Sequence, residues 1–280
     1  MKDFDGKLIL ITGGSSGIGF ALAKKLSALG AHVWILSRSA SRLEIAAAEI
    51  RQAAAHPGQN LGFLACDITQ VHQVEETLQH FLSEQGVPDL VVNSAGYSYP
   101  QTFLNIPPEI FVDQMDVNYF GTVNIIRAVL PAMLERGSGH IVNICSTAGL
   151  LTFYGFTAYS ASKFALRGFT DALRSEIKGT GVEISPCFPP DTDTPGLKTE
   201  NQVKPEVTRI VSNAGGLASP EQVAESIVKG IRKNQYLILS GIMNKLIYAL
   251  VGLAGKLVYP VMDSMVASAK RQVQKDSKHV

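Results

Sequence analysis

The sequence has few of the features that mark disulfide-bonded, metal-binding or nucleic-acid-binding proteins. Its three cysteines, Cys66, Cys145 and Cys187, are far apart and form no Cys-x-x-Cys pair. This odd, scattered set predicts reduced thiols in a cytosolic protein. The six histidines lack the spacing of metal ligands, so we expect no metal site. A formal net charge of +1 leaves no basic surface for nucleic acid, and none is expected as a partner.

Signal peptides, internal repeats and low-complexity tracts are also missing. The opening residues, Met-Lys-Asp-Phe-Asp, are too polar for a signal peptide, which favours a cytoplasmic location. The 280 residues are 46% hydrophobic and 18% charged, which is typical of a globular chain with a well-buried core. Because no linker is visible, we expect residues 1–280 to form one domain.

Short apolar runs recur along the chain and predict buried strands. They cover residues 7–12, 32–37, 61–66, 89–93, 140–145, 182–188 and 236–240. Amphipathic stretches of helical length separate them. This alternation predicts an α/β fold of the Rossmann type, a doubly wound sheet of seven parallel strands with helices on both faces. Such a sheet binds its ligand at the carboxyl ends of its strands.

Two segments interrupt this alternation. Residues 189–218 contain prolines, glycines and polar residues, and we expect an insertion that lies over the active face as a lid. Residues 242–262 predict an apolar helix with a polar tail after it. Its uncharged core, residues 246–255, is too short to span a bilayer. A helix lying in the membrane surface, a subunit contact in a homo-oligomer and a core helix all remain open.

A glycine-rich turn follows the first apolar run, at the start of a predicted helix. Its residues are Gly13, Ser15, Ser16, Gly17, Ile18 and Gly19. Glycines allow the backbone to approach a pyrophosphate closely, and the helix N-terminus offers N–H groups and a positive dipole. The turn therefore predicts a dinucleotide site.

The second run ends in Ser37 and Arg38, where an NAD-binding fold usually has an acidic residue for the ribose 2′-hydroxyl. Ser37 could hydrogen-bond a 2′-phosphate and Arg38 could pair with its charge, which favours NADP(H). The alternative is an Arg38 that faces solvent.

A tyrosine and a lysine four residues apart, Tyr159 and Lys163, predict an acid–base pair on one helix face. A nearby ammonium lowers the pKa of a phenol, so Tyr159 could protonate an alkoxide near neutral pH. Ser146 precedes Tyr159 by 13 residues and could stabilise charge on a substrate oxygen. Asn118 is an unexpected polar residue in the middle of a helical pattern over residues 107–135.

In order and spacing, these motifs resemble the short-chain dehydrogenase/reductase family over about residues 5–240. The resemblance implies that Lys163 holds the nicotinamide ribose and that Asn118 holds a water in a proton relay. It implies further cofactor contacts at the ends of the third and fourth strands. Asp67 and Ile68 would border the adenine, Asn93 would stabilise the sheet edge, and Ala95 and Gly96 would allow close approach of the cofactor.

The sequence after the sixth run departs from the usual Pro-Gly of the family and reads Pro189-Pro190. A second proline predicts a stiffer backbone beside the nicotinamide. Pro189 and either Thr192 or Thr194 would still contact the cofactor. The string over residues 189–196 resembles one branch of the family, the 3-ketodihydrosphingosine reductases.

An apolar, aromatic stretch over residues 150–156, together with Tyr97 and Tyr99, is expected to rim the site and suits a long hydrocarbon. Packing under the lid or at a subunit contact is the alternative. Asp191 or Asp193 could meet an ammonium group of the substrate. We predict an NADPH-dependent reductase of a long-chain, lipid-like ketone, by resemblance 3-ketodihydrosphingosine, at the cytosolic face of a membrane. A steroid or 3-oxoacyl reductase and a cofactor-sensing binding protein are the alternatives.

Overall fold

Seven parallel strands form one sheet in the order β3-β2-β1-β4-β5-β6-β7. The computed structural model describes residues 1–213 and 216–276 of the chain. The strands are β1 (Leu8–Thr12), β2 (His32–Ser37), β3 (Leu61–Ala65), β4 (Leu90–Asn93), β5 (Gly139–Ile144), β6 (Val182–Phe188) and β7 (Ile238–Leu239). The predicted seven-stranded, doubly wound parallel sheet is confirmed.

Helices cover both faces of this sheet. They are α1 (Gly17–Ser27), α2 (Ala40–Gln52), α3 (Val71–Gln85), α4 (Pro108–Met115), α5 (Gly121–Arg136), α6 (Thr157–Glu176), α7 (Pro195–Val203), α8 (Glu206–Asn213), α9 (Pro220–Arg232), α10 (Ile242–Ala254) and α11 (Val258–Asp276). Strand β1 shows how the faces are divided, because successive side chains point to opposite sides. Ile9 and Ile11 pack with α1, α2 and α9, whereas Leu10 packs with α3, α5 and α6.

The order in which strands are added to the sheet reverses at β1 and β4. The first three strands run outward from β1, and β4 returns to its other side. A crevice forms at such a switch point, beyond the carboxyl ends of the two strands. Thr12 closes its floor, since its hydroxyl accepts hydrogen bonds from the backbone N–H groups of Ser94 and Ala95 at 3.1 and 3.2 Å.

The long helical pattern over residues 107–135 is not one regular helix. α4 passes into α5 through a single π-helical turn, Asp116–Phe120, which contains Asn118. Among the described residues, this continuous stretch is the one long and apolar enough to cross a bilayer. It packs against α3 and α6, so we assign it to the core of the domain.

The expected lid segment contains two short helices, α7 and α8, and its ends are tied together. The backbone N–H of Asp193 donates to the carbonyl of Ala218, and the N–H of Ala218 donates to Asp191, both at 2.9 Å. Residues 214 and 215 of the expected segment lie outside the described residues. The segment thus begins and ends beside the carboxyl end of β6.

The C-terminal segment differs from the expected single helix over residues 242–262. α10 ends at Ala254, and a 3₁₀ turn, Gly255–Leu257, separates it from α11. Gly255 adopts a φ of 51°, a left-handed conformation that glycine tolerates and that an α-helix cannot include. Residues 263–276 of the expected polar tail are part of α11, and residues 277–280 lie outside the described residues.

Candidate active site

A cleft of about 710 Å³ opens at the carboxyl ends of the strands. Most of the predicted site residues line it. These are Gly13, Ser15, Ser16, Gly17, Ile18, Ser37, Arg38, Asp67, Ile68, Ala95, Gly96, Ser146, Tyr159, Lys163, Pro189, Thr192 and Thr194. Gly19, Asn93 and Asn118 lie behind its surface. Asn93 is buried in the sheet, where its side-chain amide donates to Asn143 at 2.9 Å.

The glycine-rich turn packs closely against neighbouring backbone, which leaves no room for side chains at two of its glycines. Gly13 has a φ of 67°, and a Cβ at this position would lie 2.8 Å from the backbone of Ala95. A Cβ on Gly19 would lie 2.6 Å from the carbonyl oxygen of Gly13. The side chain of Ser16, the N-cap of α1, makes no capping hydrogen bond. The first N–H groups of α1 are therefore available to an anion in the cleft.

The end of β2 and the start of α2 together supply a hydroxyl and two cations. The Ser37 hydroxyl is buried and has no hydrogen-bond partner within the described part of the chain. Arg38 lines the cleft, and so does Arg42, which the sequence analysis did not identify. Arg42 lies in the first turn of α2, where the helix dipole disfavours a positive charge. An arginine at this unfavourable position in the sequence indicates a role in binding an anion rather than in stabilising the helix.

Asn118 fastens the loop after β4 to helix α6. Its amide oxygen accepts from the backbone N–H of Tyr97 at 2.9 Å, and its amide nitrogen donates to the Tyr97 carbonyl and the Ser162 hydroxyl, both at 3.0 Å. A Cβ on Gly96 would lie 2.8 Å from the Asn118 oxygen and 3.4 Å from the Lys163 nitrogen. Glycine is therefore required where this loop passes between Asn118 and Lys163.

The side chains of Lys163 and Tyr159 lie together, with the lysine nitrogen 5.7 Å from the centre of the tyrosine ring. Burial lowers the pKa of Lys163 to about 8. Burial also raises the pKa of Tyr159, the charges of Glu200 and Asp191 raise it further, and a hydrogen bond to Ser146 opposes them.

This differs from our expectation that Lys163 lowers the pKa of Tyr159. Burial of the phenol disfavours its charged form and is the largest influence on its pKa. The raised pKa keeps the phenol of Tyr159 protonated. A neutral phenol is the form that can donate a proton to a ketone oxygen.

The segment after β6 brings both predicted threonines to the cleft. The Thr192 hydroxyl donates to the carbonyl of Pro190 at 2.8 Å. The Thr194 hydroxyl caps α7 by accepting from the N–H of Leu197 at 3.1 Å. Its methyl group would lie 3.0 Å from a Cβ on Gly17, so this segment closes over the glycine-rich turn.

Part of the expected aromatic rim is present. Leu151, Phe153, Phe156 and Tyr97 line the cleft, but Tyr99 and Tyr154 do not. Tyr154 lies instead beside α11, with the Lys270 nitrogen 5.2 Å from its ring centre.

The C-terminal helices form a wall of the cleft that the sequence analysis did not foresee. The residues that they contribute are Met243, Asn244, Ile247, Leu250, Val251, Ala254, Leu257, Val258, Val261, Met262 and Met265. All but one of these are apolar. The exception, Asn244, is buried and donates from its side chain to the carbonyl of Phe188 at 2.7 Å, which anchors α10 to the end of β6. The cleft thus has a polar end at the strands and an apolar end at α10 and α11.

Comparison with known proteins agrees with this arrangement. The family model described as short chain dehydrogenase matches residues 7–205. The chain belongs to this family. It is 40% identical over 225 residues to a 3-ketodihydrosphingosine reductase of Bos taurus, which covers 80% of this chain and 68% of the relative. It is 37% identical to the Dictyostelium discoideum protein of the same name, over 96% of this chain and 84% of the relative.

Solved structures share the fold. A Burkholderia phymatum short-chain dehydrogenase/reductase in complex with NAD superposes with a TM-score of 0.79 at 25% identity, covering 92% of this chain and 96% of that one. A Burkholderia cenocepacia short-chain dehydrogenase in complex with NADP gives 0.75 at 22% identity, covering 93% and 98%. The predicted family is confirmed, and with it an oxidoreductase that interconverts a ketone and an alcohol with a nicotinamide dinucleotide.

Proposed function

We propose that this protein reduces 3-ketodihydrosphingosine to dihydrosphingosine with NADPH. The observation that carries the proposal is the lining of the cleft, in which Ser146, Tyr159 and Lys163 occur together with the glycine-rich turn and an apolar wall. The two relatives described above are named for this reaction, and the substrate has a ketone next to a long alkyl chain. A role in sphingolipid metabolism follows from that substrate.

The cofactor is held at the polar end of the cleft. The N-terminus of α1 and the glycine-rich turn bind its pyrophosphate. Ser37, Arg38 and Arg42 would bind the 2′-phosphate, because a buried hydroxyl and two guanidinium groups suit a dianion and NAD(H) has no anionic group at this position. Asp67 and Ile68 would border the adenine, and Thr192 or Thr194 would contact the carboxamide.

Proton transfer is assigned to the chain. When bound, the cofactor would supply the hydride for the ketone carbon. Tyr159 gives its phenolic proton to the ketone oxygen, and the Ser146 hydroxyl hydrogen-bonds that oxygen as negative charge develops on it. Lys163 holds the nicotinamide ribose and provides positive charge beside Tyr159 as its proton leaves. Asn118 does not line the cleft and would position Tyr159 and Lys163 indirectly, through its hydrogen bonds to Ser162 and to the backbone of Tyr97.

The apolar end of the cleft accommodates the alkyl chain. Each methylene moved from water to this wall contributes about 0.8 kcal/mol, which favours long ketones over short ones. A steroid or a 3-oxoacyl group is also apolar, so the wall alone does not select between these lipids. We place the selection at the polar groups near Tyr159.

The outer side of the C-terminal helices favours contact with a membrane at its cytoplasmic face. Ile242 and Leu253 are 78% and 89% exposed and do not line the cleft, although they belong to α10, which forms part of the apolar wall. A lipid substrate resides in a bilayer, and an apolar surface beside the mouth of the cleft would bring the two together. A subunit contact in a homo-oligomer is the alternative use of this surface.

The test is a turnover assay in which NADPH oxidation is followed with ketones of increasing chain length, a steroid ketone and a 3-oxoacyl thioester. We expect kcat/KM to increase with chain length and to be highest for 3-ketodihydrosphingosine. A preference for the steroid or the thioester would leave the reductase class intact and overturn this substrate. Failure to oxidise NADPH with any ketone would favour a cofactor-sensing protein.

A further inference from the structure

Three charged side chains meet beside the cleft, between β6 and α8. The Lys204 nitrogen lies 2.7 Å from a carboxylate oxygen of Glu200 and 3.8 Å from one of Asp191. The Lys204 side chain is almost fully buried at 2% exposure and does not reach the cleft surface, whereas Glu200 and Asp191 both line the cleft. We call these three residues the acidic triad.

The acidic triad carries one negative charge more than it can neutralise. Its two carboxylates share one ammonium, and within the described part of the chain Lys204 is the one cation that acts on Asp191. Burial raises the pKa of both carboxyl groups, and Lys204 opposes this shift at each of them. A partly buried carboxylate without its own cation is unfavourable unless a ligand supplies one.

Asp191 is the carboxylate that remains open. Glu200 is the closer partner of Lys204, and its side chain is 12% exposed against 39% for that of Asp191. Asp193, the other candidate from the sequence, is 56% exposed beside Lys198 and does not line the cleft. The backbone of Asp191 is fixed at the end of β6, since its carbonyl accepts from the N–H of Ala218.

The acidic triad lies close to the atoms that would react. The charges of Glu200 and Asp191 raise the pKa of Tyr159. The Phe156 ring links the two groups, because its centre is 5.8 Å from the Lys204 nitrogen and 5.9 Å from the centre of the Tyr159 ring. A cation bound at Asp191 would therefore belong to a substrate whose positive charge is near its ketone.

Building on the proposed function, we propose that Asp191 binds a substrate ammonium on the carbon next to the ketone. Glu200 would act as a positioning residue, because its ion pair with Lys204 leaves the Asp191 carboxylate open to the substrate. The site would then select 2-amino ketones. In 3-ketodihydrosphingosine the amine is on C2 and the ketone on C3, so both groups can be held at once. The pairing neutralises the excess charge of the acidic triad, and a steroid or a 3-oxoacyl group cannot provide it.

The test compares two ketones of equal chain length, one with the 2-amino group and one without it. The quantity measured is the ratio of their kcat/KM values in the NADPH-dependent reaction. For the parent enzyme we expect the amino ketone to be preferred. Asp191→Asn keeps the size of the side chain and removes its charge, and it should lower the ratio by about 10- to 100-fold through loss of one charged hydrogen bond.

Two further variants separate this contact from general damage. Asp193→Asn is the matched control two residues away and should leave the ratio unchanged. Glu200→Gln frees Lys204 to pair with Asp191, so it should raise KM for the amino ketone with little change in kcat. Inhibition by a long-chain primary amine, compared with the alcohol of equal length, should weaken in Asp191→Asn and stay unchanged in Asp193→Asn.

The outcomes distinguish this contact from the function on which it rests. If the parent enzyme reduces both ketones and Asp191→Asn keeps the parent ratio and the parent inhibition by amine, the ammonium contact is wrong and the reductase function stands. If Asp191→Asn lowers both kcat/KM values by the same factor, the residue has a structural role and the contact is again wrong. A parent enzyme that turns over neither ketone overturns the contact and the function together.

Discussion

The side-chain nitrogen of Lys163 lies 3.0 Å from the carbonyl oxygen of Ile144, at the last residue of β5. This hydrogen bond joins helix α6 to the strand end that carries Ser146 two residues later. The positions of Lys163 and Ser146 are thereby coupled through the protein itself. Burial of the lysine is tolerated because its ammonium is met by a carbonyl oxygen.

Tyr159→Phe should reduce kcat by about 100-fold or more while leaving NADPH affinity close to that of the parent enzyme. The substitution removes the proton donor and keeps the ring. Turnover by NADPH oxidation and affinity by fluorescence titration check the two parts. Tyr154→Phe is a matched control because Tyr154 lies outside the lining of the cleft, and it should retain full activity. A Tyr159→Phe enzyme that keeps more than about a tenth of kcat would rule out Tyr159 as the acid.

Lys163 should make cofactor capture sensitive to alkaline pH. Its pKa is lowered to about 8, so the free enzyme has a charged lysine below that pH and a neutral one above it. If the charge helps to hold the cofactor, kcat/KM for NADPH should be constant below about pH 8 and decrease about tenfold per pH unit above it, because kcat/KM reports groups of the free enzyme.

Lys163→Met supplies the check on this assignment. The variant should be slow, should bind NADPH weakly and should lose the decrease in kcat/KM near pH 8. Lys198→Met, at an exposed lysine outside the lining of the cleft, should keep the parent profile. A decrease that persists unchanged in Lys163→Met belongs to another group.

Arg42 and Arg38 should together determine the preference for NADPH over NADH. Each charged contact to the 2′-phosphate is expected to contribute about tenfold to the ratio of kcat/KM values for the two cofactors. Arg42→Ala should lower that ratio, and Arg38→Asp should reverse it by repelling the phosphate. Arg51→Ala, later in the same helix and outside the lining of the cleft, is the control. Equal kcat/KM values for both cofactors in the parent enzyme would contradict this prediction.

The sequence predicted the sheet and most of the residues that line the cleft because both depend on local patterns. Each buried strand is an apolar run, and the turn after β1 needs glycine at Gly13 to pass Ala95 whatever else the chain does. Arg42 was missed because its role depends on how α2 is placed beside Arg38, which periodicity does not specify. The π turn at Asn118 was missed because it alters hydrogen bonding without altering the apolar pattern.

The C-terminal helices show a limit of a different kind. The sequence predicted an apolar helix over residues 242–262. One apolar stripe of this segment lines the cleft, and its members are Ile247, Leu250, Val251, Ala254, Leu257, Val258 and Val261. A membrane surface, a partner subunit and a substrate cleft all select apolar residues on one side of a helix. Periodicity therefore identified the stripe but not what it contacts.

The two sides of α10 should have separable functions. Deletion of residues 242–280 would remove both sides at once, so single substitutions are needed to distinguish them. Val251 lines the cleft, whereas Leu253 is 89% exposed and does not. Val251→Ser should weaken the preference for long ketones over short ones, since the chain loses apolar contact worth about 0.8 kcal/mol per methylene. It should leave co-sedimentation with anionic liposomes unchanged.

Leu253→Ser should weaken co-sedimentation with liposomes and leave the preference for long ketones unchanged, because it reduces the apolar area that enters the acyl boundary and leaves the cleft intact. If the parent protein does not sediment with liposomes and Leu253→Ser instead shifts its mass in solution, the outer side of α10 is a subunit contact. If Val251→Ser leaves the dependence of kcat/KM on chain length unchanged, the alkyl chain does not lie along α10.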